Sequence, residues 1–186
     1  IHVLETMAPV EFLEFRHRLQ PASGFQSTQF REVEFFLGLK DEQFLEHFET
    51  VPTMRARLER RLAEPSLREV FYDMLRELGF DVPALIDKAA LAEDKEARVA
   101  LAKVLVPLYQ NPEEHLELNL LAESLLDLDQ GLMTWREHHV RVVERVIGFK
   151  HGTGGSEGVG YLKTTTGKKV FPEIWDVRTL LEHVVA

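Results

Sequence analysis

The stretch that decides the fold is "NPEEHLELNLLAESLLDLDQGLMTWREHHVRVVERVIG", residues 111–148. Apolar or aromatic side chains recur in it at three- and four-residue spacing, the period of one helix face. Members of this stripe are Leu121, Leu125, Leu128, Leu132, Trp135, His139, Val143 and Val146. The pattern predicts one long helix that opens near "NPEE", runs to Ile147 and stops at Gly148, with a break near Gly131 left open.

Helical signals also dominate the rest of the chain. Ser27 is placed to cap "QFREVEFFLG", which stops at Gly38. Ser66 and Glu69 have the spacing of a capping box at the start of "SLREVFYDMLRELG". Only "GYLKTTTGKKVF", residues 160–171, has the composition of a strand, and it is short. We therefore predict an all-α fold with one glycine-rich loop.

Composition limits the classes of function that fit this chain. Its 186 residues, 45% of them hydrophobic, predict a single domain over residues 1–186. The net charge of −9 argues against nucleic-acid and anionic-membrane binding, although it leaves room for a local basic pocket. There is no cysteine, which fits a reducing compartment. The opening "IHVLETMAPVEF" lacks the features of a signal peptide and resembles the end of a helix, which indicates a partial chain.

Four glycines cluster in "HGTGGSEG", residues 151–158, directly after the long helix. The stretch lacks the Gly-Lys-Ser/Thr ending of a Walker loop, and Glu157 stands where a dinucleotide fingerprint needs its third glycine. Two interpretations remain. The glycines form a flexible surface loop, or they form a lid whose backbone approaches a small polar ligand, with hydroxyls from Thr153 and Ser156.

His139 lies on the apolar stripe of the long helix, whereas His138 is turned about 100° away from it. A histidine on such a stripe is either a core residue with a satisfied ring nitrogen or an imidazole ligand to a metal or haem. The remaining histidines form no H-x-x-x-H or H-E-x-x-H pair, which gives little support to zinc. A single imidazole favours haem over a bare metal ion.

Arg16 follows Phe12 and Phe15 closely in "FLEFRHRL". It is either a surface arginine paired with Glu11 or Glu14, or a guanidinium that grips a carboxylate beside an aromatic wall.

Three stretches together resemble the tryptophan 2,3-dioxygenase family of haem enzymes. They are "LETMAPVEFLEFRHRLQPASGFQSTQFREVEFFLG", "WREHHVRVVERVIGFKHGTGGSEGVGYL" and "FPEIWDVRTLL", and they occur in the family's order. The resemblance implies an all-α, haem-binding helical bundle with one glycine-rich substrate loop. It also implies haem b as the cofactor.

On the haem side, the resemblance implies roles for four residues. His139, the last histidine of "WREHH", matches the proximal ligand of the haem iron and is the expected metal ligand. Trp135 is expected to bind the cofactor beside it. Ser23 and Gly24 match residues close to the haem and its oxygen site.

On the substrate side, the resemblance implies that Arg16 binds the carboxylate of the amino acid. Phe12 and Leu19 match positions that line the indole pocket, and Thr153 matches the threonine that contacts the ammonium and carboxylate groups. Glu157 departs from the serine common in the family. Under this interpretation the loop glycines let the backbone fold over the substrate.

The activity implied is cleavage of the indole C2–C3 bond of L-tryptophan by O2 to N-formyl-L-kynurenine, the first step of tryptophan catabolism, in a cytoplasmic homotetramer. The family carries an N-terminal "H-Q-x-Y-E-L-W-F" type motif that supplies a distal histidine. Nothing in the 186 residues matches it, so no catalytic residue is expected in this chain. The alternatives are a related haem-dependent aromatic hydroxylase and a non-catalytic haem-binding scaffold.

Overall fold

The computed structural model describes residues 5–19, 27–84, 86, 91, 94–151 and 158–181. Within these residues the regular structure is entirely helical, which confirms the all-α prediction. The α-helices are α1 Pro9–Leu19, α2 Thr28–Leu37, α3 Pro52–Leu62, α4 Leu67–Glu77, α5 Lys95–Gln110, α6 Leu116–Ile147, α7 Val159–Lys163 and α8 Pro172–Leu180, with a 3-10 helix at Glu42–Phe48. No described helix has both the length and the apolar character that crossing a membrane requires. Most of the glycine-rich loop, residues 152–157, lies outside the described part.

The chain divides into two compact units. Unit 1 comprises Ile1–Glu64 and Gly131–Lys168, and unit 2 comprises Pro65–Gln130 and Lys169–Ala186. The expectation of one domain over residues 1–186 stays a prediction.

In unit 1, α2 begins and ends where the sequence predicts. The Ser27 side chain accepts a hydrogen bond from the Phe30 amide at 3.4 Å, and Gly38 takes a left-handed conformation with φ of 83°. The apolar face between these caps packs into a core with the 3-10 helix and α3. That core consists of Phe35, Leu45, Phe48 and Leu58, with Phe44, Met54 and Leu62 packed against it. Each such side chain stabilises the fold by about 1.5–3 kcal/mol through burial.

In unit 2, helix α5 packs against α8. The predicted capping box opens α4, because Ser66 accepts from the Glu69 amide and the Glu69 carboxylate accepts from the Ser66 amide. The core is made of apolar side chains that are at most 3% exposed. They include Phe71, Leu75, Leu101, Leu105, Leu108, Phe171, Ile174 and Val177.

A fully buried carboxylate, Asp129, fixes the start of α8. Its oxygens accept hydrogen bonds from the amides of Val170 and Phe171 at 2.8 and 3.0 Å, and from the Trp175 indole N–H at 3.1 Å. Helix α8 begins with Pro172 and has no side-chain cap of its own. Asp129 therefore supplies acceptors to backbone amides that precede the helix and would otherwise be buried without partners.

A second buried carboxylate, Glu173, lies in the first turn of α8. The Tyr72 hydroxyl donates to Glu173 Oε1, and Arg68 Nη2 lies 3.7 Å from Oε2. Desolvation raises the pKa of Glu173 despite the nearby Arg68. Burial also raises the pKa of Tyr72 well above its ordinary value, so the phenol stays protonated and donates the hydrogen bond.

Residues 160–171, whose composition resembles that of a strand, form no strand, in agreement with the all-α prediction. Helix α7 occupies its first part, and a turn follows from Thr164. The hydroxyls of Thr164, Thr165 and Thr166 donate to the carbonyls three residues earlier, at 2.7–2.9 Å. These local bonds satisfy carbonyls at the end of the helix. The threonines therefore favour a turn over the hydrogen-bonded pairing of a β-strand.

Helix α6 is continuous, without a break at Gly131, and ends at Gly148 with φ of 61°. Its buried face differs from the predicted stripe. The polar side chains Asp129 and Arg136 are buried along it, whereas Leu128 and Trp135 of the predicted stripe remain 42% and 38% exposed. Arg136 is buried because its guanidinium donates to the Lys168 carbonyl at 2.6 Å. A periodicity count that ranks residues by hydrophobicity misses such hydrogen-bonded polar groups.

Candidate functional site

The two adjacent histidines of α6 occupy different environments. His138 is exposed, and its Nε2 lies 2.5 Å from a carboxylate oxygen of Glu5. His139 is half-buried, and its ring lies 5.4 Å from that of Trp135 at an angle of 35°. Burial lowers the pKa of His139, which favours the neutral imidazole at neutral pH. The neutral form carries the free lone pair that a metal ligand needs.

Two successive aromatic contacts connect Phe30 to His139 through Trp135. The Phe30 ring from α2 lies 5.2 Å from Trp135, which in turn contacts His139. Within the described part of the chain, neither ring nitrogen of His139 has a hydrogen-bond partner. A neutral imidazole with an available ring nitrogen can serve as an axial ligand to haem iron. The described residues therefore fit the cofactor that the sequence suggests.

Arg16 is half-buried on α1, and its Nη2 donates to the main-chain carbonyl of His151 at 2.5 Å. Across the described residues it forms no ion pair with Glu11 or Glu14. Glu11 instead accepts from the Ala8 amide at 3.2 Å, at the start of α1. The guanidinium is thus held against the segment that follows α6. A guanidinium has five N–H donors, and within the described residues one of them is used, in the bond to His151.

A cavity of about 260 Å³ lies beside Arg16. It is lined by Leu13, Arg16, His17 and Lys150. Leu13 supplies one apolar wall, and the other three side chains carry N–H donors. Such a lining suits a small anionic group attached to an apolar body.

The other residues expected at the site are distributed as follows. Phe12 is half-buried on α1, its ring lies 6.3 Å from that of Phe15, and it does not line the cavity. Leu19 is the last residue of α1, and its side chain lies outside the described part. Ser23, Gly24 and Thr153 also lie outside the described residues. The structure thus brings Trp135 to His139, and it leaves the roles of all these residues as predictions.

Sequence reasoning missed the basic residues beside Arg16. His17 and Lys150 line its cavity, and the His151 carbonyl orients it. The net charge of −9 conceals this local concentration of basic groups. One available signal was the position of Lys150, two residues after the glycine that ends α6.

Comparison with known proteins gives sequence matches to one family. A sequence model described as tryptophan 2,3-dioxygenase matches residues 1–68 and 91–181. The tryptophan 2,3-dioxygenase of Myxococcus xanthus is 43% identical over 96% of this chain and 62% of its own length. Its counterpart in Caulobacter vibrioides is 43% identical over 96% of this chain and 68% of its length, and that of Nocardioides sp. is 45% identical over 97% and 63%. The chain spans about two thirds of the length of these curated relatives. The chain belongs to the tryptophan 2,3-dioxygenase family.

Proposed function

We propose that the protein containing this chain is a tryptophan 2,3-dioxygenase. It opens the indole ring of L-tryptophan with O2 to give N-formyl-L-kynurenine. The observation that carries the proposal is the match to tryptophan 2,3-dioxygenases at 43–45% identity over nearly the whole chain. The cofactor in this proposal is haem b.

His139 would hold the haem through its iron, with Trp135 packed beside the imidazole at 5.4 Å. When bound, haem supplies the redox chemistry with O2 that no side chain of this chain can perform. The contribution of α6 is a rigid support, because His139 and Trp135 lie one helical turn apart on one element. Ser23 and Gly24 are proposed to lie near the same cofactor.

Arg16 is proposed to bind the carboxylate of tryptophan. Two observations support this role. The His151 carbonyl orients the Arg16 guanidinium, and Arg16 lines a cavity. Phe12 and Leu19 are proposed to line the indole pocket, and Thr153 to contact the amino-acid end of the substrate. These side chains bind and orient the substrate, so their substitution should act on kcat/KM more than on haem content.

The test is product analysis with the full-length, haem-loaded protein. Incubation with L-tryptophan and isotopically labelled O2 should give one product that contains both labelled oxygen atoms, identified by mass spectrometry. A product with a single labelled oxygen would identify an aromatic hydroxylase instead. An intact haem spectrum without any product would identify a non-catalytic scaffold.

The proposal includes a homotetramer in the cytoplasm, as the family resemblance implies. Light scattering coupled to size-exclusion chromatography of the full-length protein measures the assembly. A mass of four chains would support the tetramer, and a monomer at working concentration would contradict it.

A further inference from the structure

Three of the four described residues that line the cavity beside Arg16 are basic, whereas the chain as a whole has a negative net charge. The chain carries 31 acidic and 22 basic residues, yet the residues that line this cavity are Leu13, Arg16, His17 and Lys150. No carboxylate from the described residues lines it. A pocket that gathers basic groups in an acidic protein creates a local potential that favours an anion.

The fold brings Lys150 to this place through two features. Gly148, at φ of 61°, ends α6 in a left-handed conformation and redirects the chain. The His151 carbonyl then accepts from Arg16 Nη2 at 2.5 Å, which ties the segment after α6 to α1. Lys150 directly precedes His151 in sequence, and Lys150 and Arg16 line the same cavity.

Complementing a helix dipole is the simplest alternative role for these basic groups. Arg16, His17 and Arg18 all lie in the last turn of α1, where cations are favourable. Lys150 lies three residues beyond the end of a different helix, α6, so a dipole role would apply to each helix separately and does not account for both cations lining one cavity. It also does not explain why the Arg16 guanidinium bonds to His151, a residue 135 positions away in sequence.

We propose that Lys150 is a specificity-determining residue that works with Arg16 to hold the carboxylate of the amino-acid substrate. This inference rests on the proposed function. Arg16 supplies the planar fork, and Lys150 supplies a second, point-like positive charge. Two cations around one cavity also repel a ligand whose only charge is an ammonium group. The site thereby discriminates tryptophan from tryptamine, the same molecule without the carboxylate, by attraction and by repulsion.

The experiment compares Lys150→Gln with the wild type in the full-length, haem-loaded protein. For L-tryptophan, kcat/KM should fall about tenfold, mostly through KM, because a hydrogen bond to a charged ligand group is lost. For tryptamine, kcat/KM, or Ki as a competitive inhibitor if turnover is too slow, should stay the same or improve. Lys150→Arg keeps the charge and should restore most of the activity with tryptophan.

Arg18→Gln is the matched control. Arg18 lies in the same last turn of α1, is exposed and does not line the cavity, and its replacement removes the same charge. Its kcat/KM for tryptophan should change less than about twofold. An equal loss in Lys150→Gln and Arg18→Gln would overturn the proposal, because it would indicate long-range charge rather than contact. An equal loss for tryptophan and tryptamine, or no loss at all, would overturn it too.

Isothermal titration of the same variants separates this inference from the proposed function. If the wild type binds L-tryptophan without cleaving it, the proposed function fails while the affinity difference between wild type and Lys150→Gln still tests the site. If the wild type cleaves tryptophan and Lys150→Gln matches it in affinity and rate, the inference fails alone. A wild type that neither binds nor cleaves tryptophan overturns both.

Discussion

The buried carboxylates of unit 2 and the basic groups around the unit 1 cavity differ in what surrounds them. In unit 2, the buried Asp129 carboxylate accepts three hydrogen bonds. The Glu173 carboxylate accepts one from Tyr72, and its second oxygen lies 3.7 Å from Arg68 Nη2 with no hydrogen bond from the described residues. In unit 1, Arg16, His17 and Lys150 surround a cavity that no carboxylate of the described chain enters. Buried groups that are satisfied by the protein hold a fold together, whereas groups of one sign around a cavity are available to a ligand.

The largest expected effect concerns His139, which should serve the cofactor rather than the fold. His139→Ala in the full-length protein should abolish the five-coordinate ferrous haem spectrum, because the axial imidazole is gone. His138→Ala is the matched control, since His138 is exposed and meets Glu5, and it should leave the spectrum nearly unchanged. Absorption spectra of the two reduced variants measure this difference in haem coordination. An unaltered spectrum in His139→Ala would remove this residue from the site.

The next effect concerns Arg16. Arg16→Ala should lower kcat/KM for tryptophan at least about 30-fold with haem content intact, because truncating one member of a buried charge pair costs about 2–5 kcal/mol. Arg16→Lys should restore only part of this, since lysine lacks the planar fork. Steady-state kinetics with a haem assay measure both. If Arg16→Ala keeps wild-type kcat/KM, Arg16 is a surface residue and the substrate lies elsewhere.

In unit 2, Asp129 should act on stability. Asp129→Ala leaves the amides of Val170 and Phe171 and the Trp175 indole without their acceptor, which should lower the free energy of unfolding by about 2–4 kcal/mol. Urea unfolding followed by tryptophan fluorescence measures it. Asp127→Ala, at an exposed position of the same helix, should change stability by less than about 0.5 kcal/mol. Equal stabilities of the two variants would show that the buried carboxylate does not anchor α8.

The smallest expected effect is the pH dependence that Glu173 gives to stability. Its pKa in the folded protein is raised by burial, so its stabilising contribution is present below its ordinary pKa of 4.5 and is lost as pH rises through the folded value. The stability of Glu173→Gln relative to wild type should therefore increase from about pH 4 to about pH 7.

Urea unfolding at both pH values measures the difference for Glu173→Gln. Glu117→Gln, at an exposed position in the first turn of α6, serves as the control and should show a flat profile. A pH-independent difference for Glu173→Gln would mean that Arg68 fully compensates the burial of this carboxyl.

Local features of this fold could be predicted from sequence. The caps at Ser27, Ser66 and Gly38 and the stop at Gly148 are confirmed, because each depends on residues within one helical turn. The turn at Thr164 was not predicted, since strand propensity does not account for hydroxyls that bond to the carbonyls three residues earlier.

Contacts between distant segments could not be read from the sequence. Asp129 meets partners more than 40 positions away, and Arg16 meets a carbonyl 135 positions away. Periodicity along α6 also placed Trp135 on a buried stripe, although it is 38% exposed. Neither a spacing pattern nor a charge count specifies which distant groups meet, so the basic cavity was found only in the folded chain.

The bond between Arg16 and residue 151 uses a main-chain oxygen, and every amino acid carries that oxygen. The exposed imidazole of His151 is therefore dispensable for orienting the guanidinium. Position 151 can accept a wide range of side chains in a saturation library, whereas positions 16 and 150, which act through their side chains, cannot. A randomised library at these three positions, selected for tryptophan cleavage, would be permissive at 151 and restrictive at the other two.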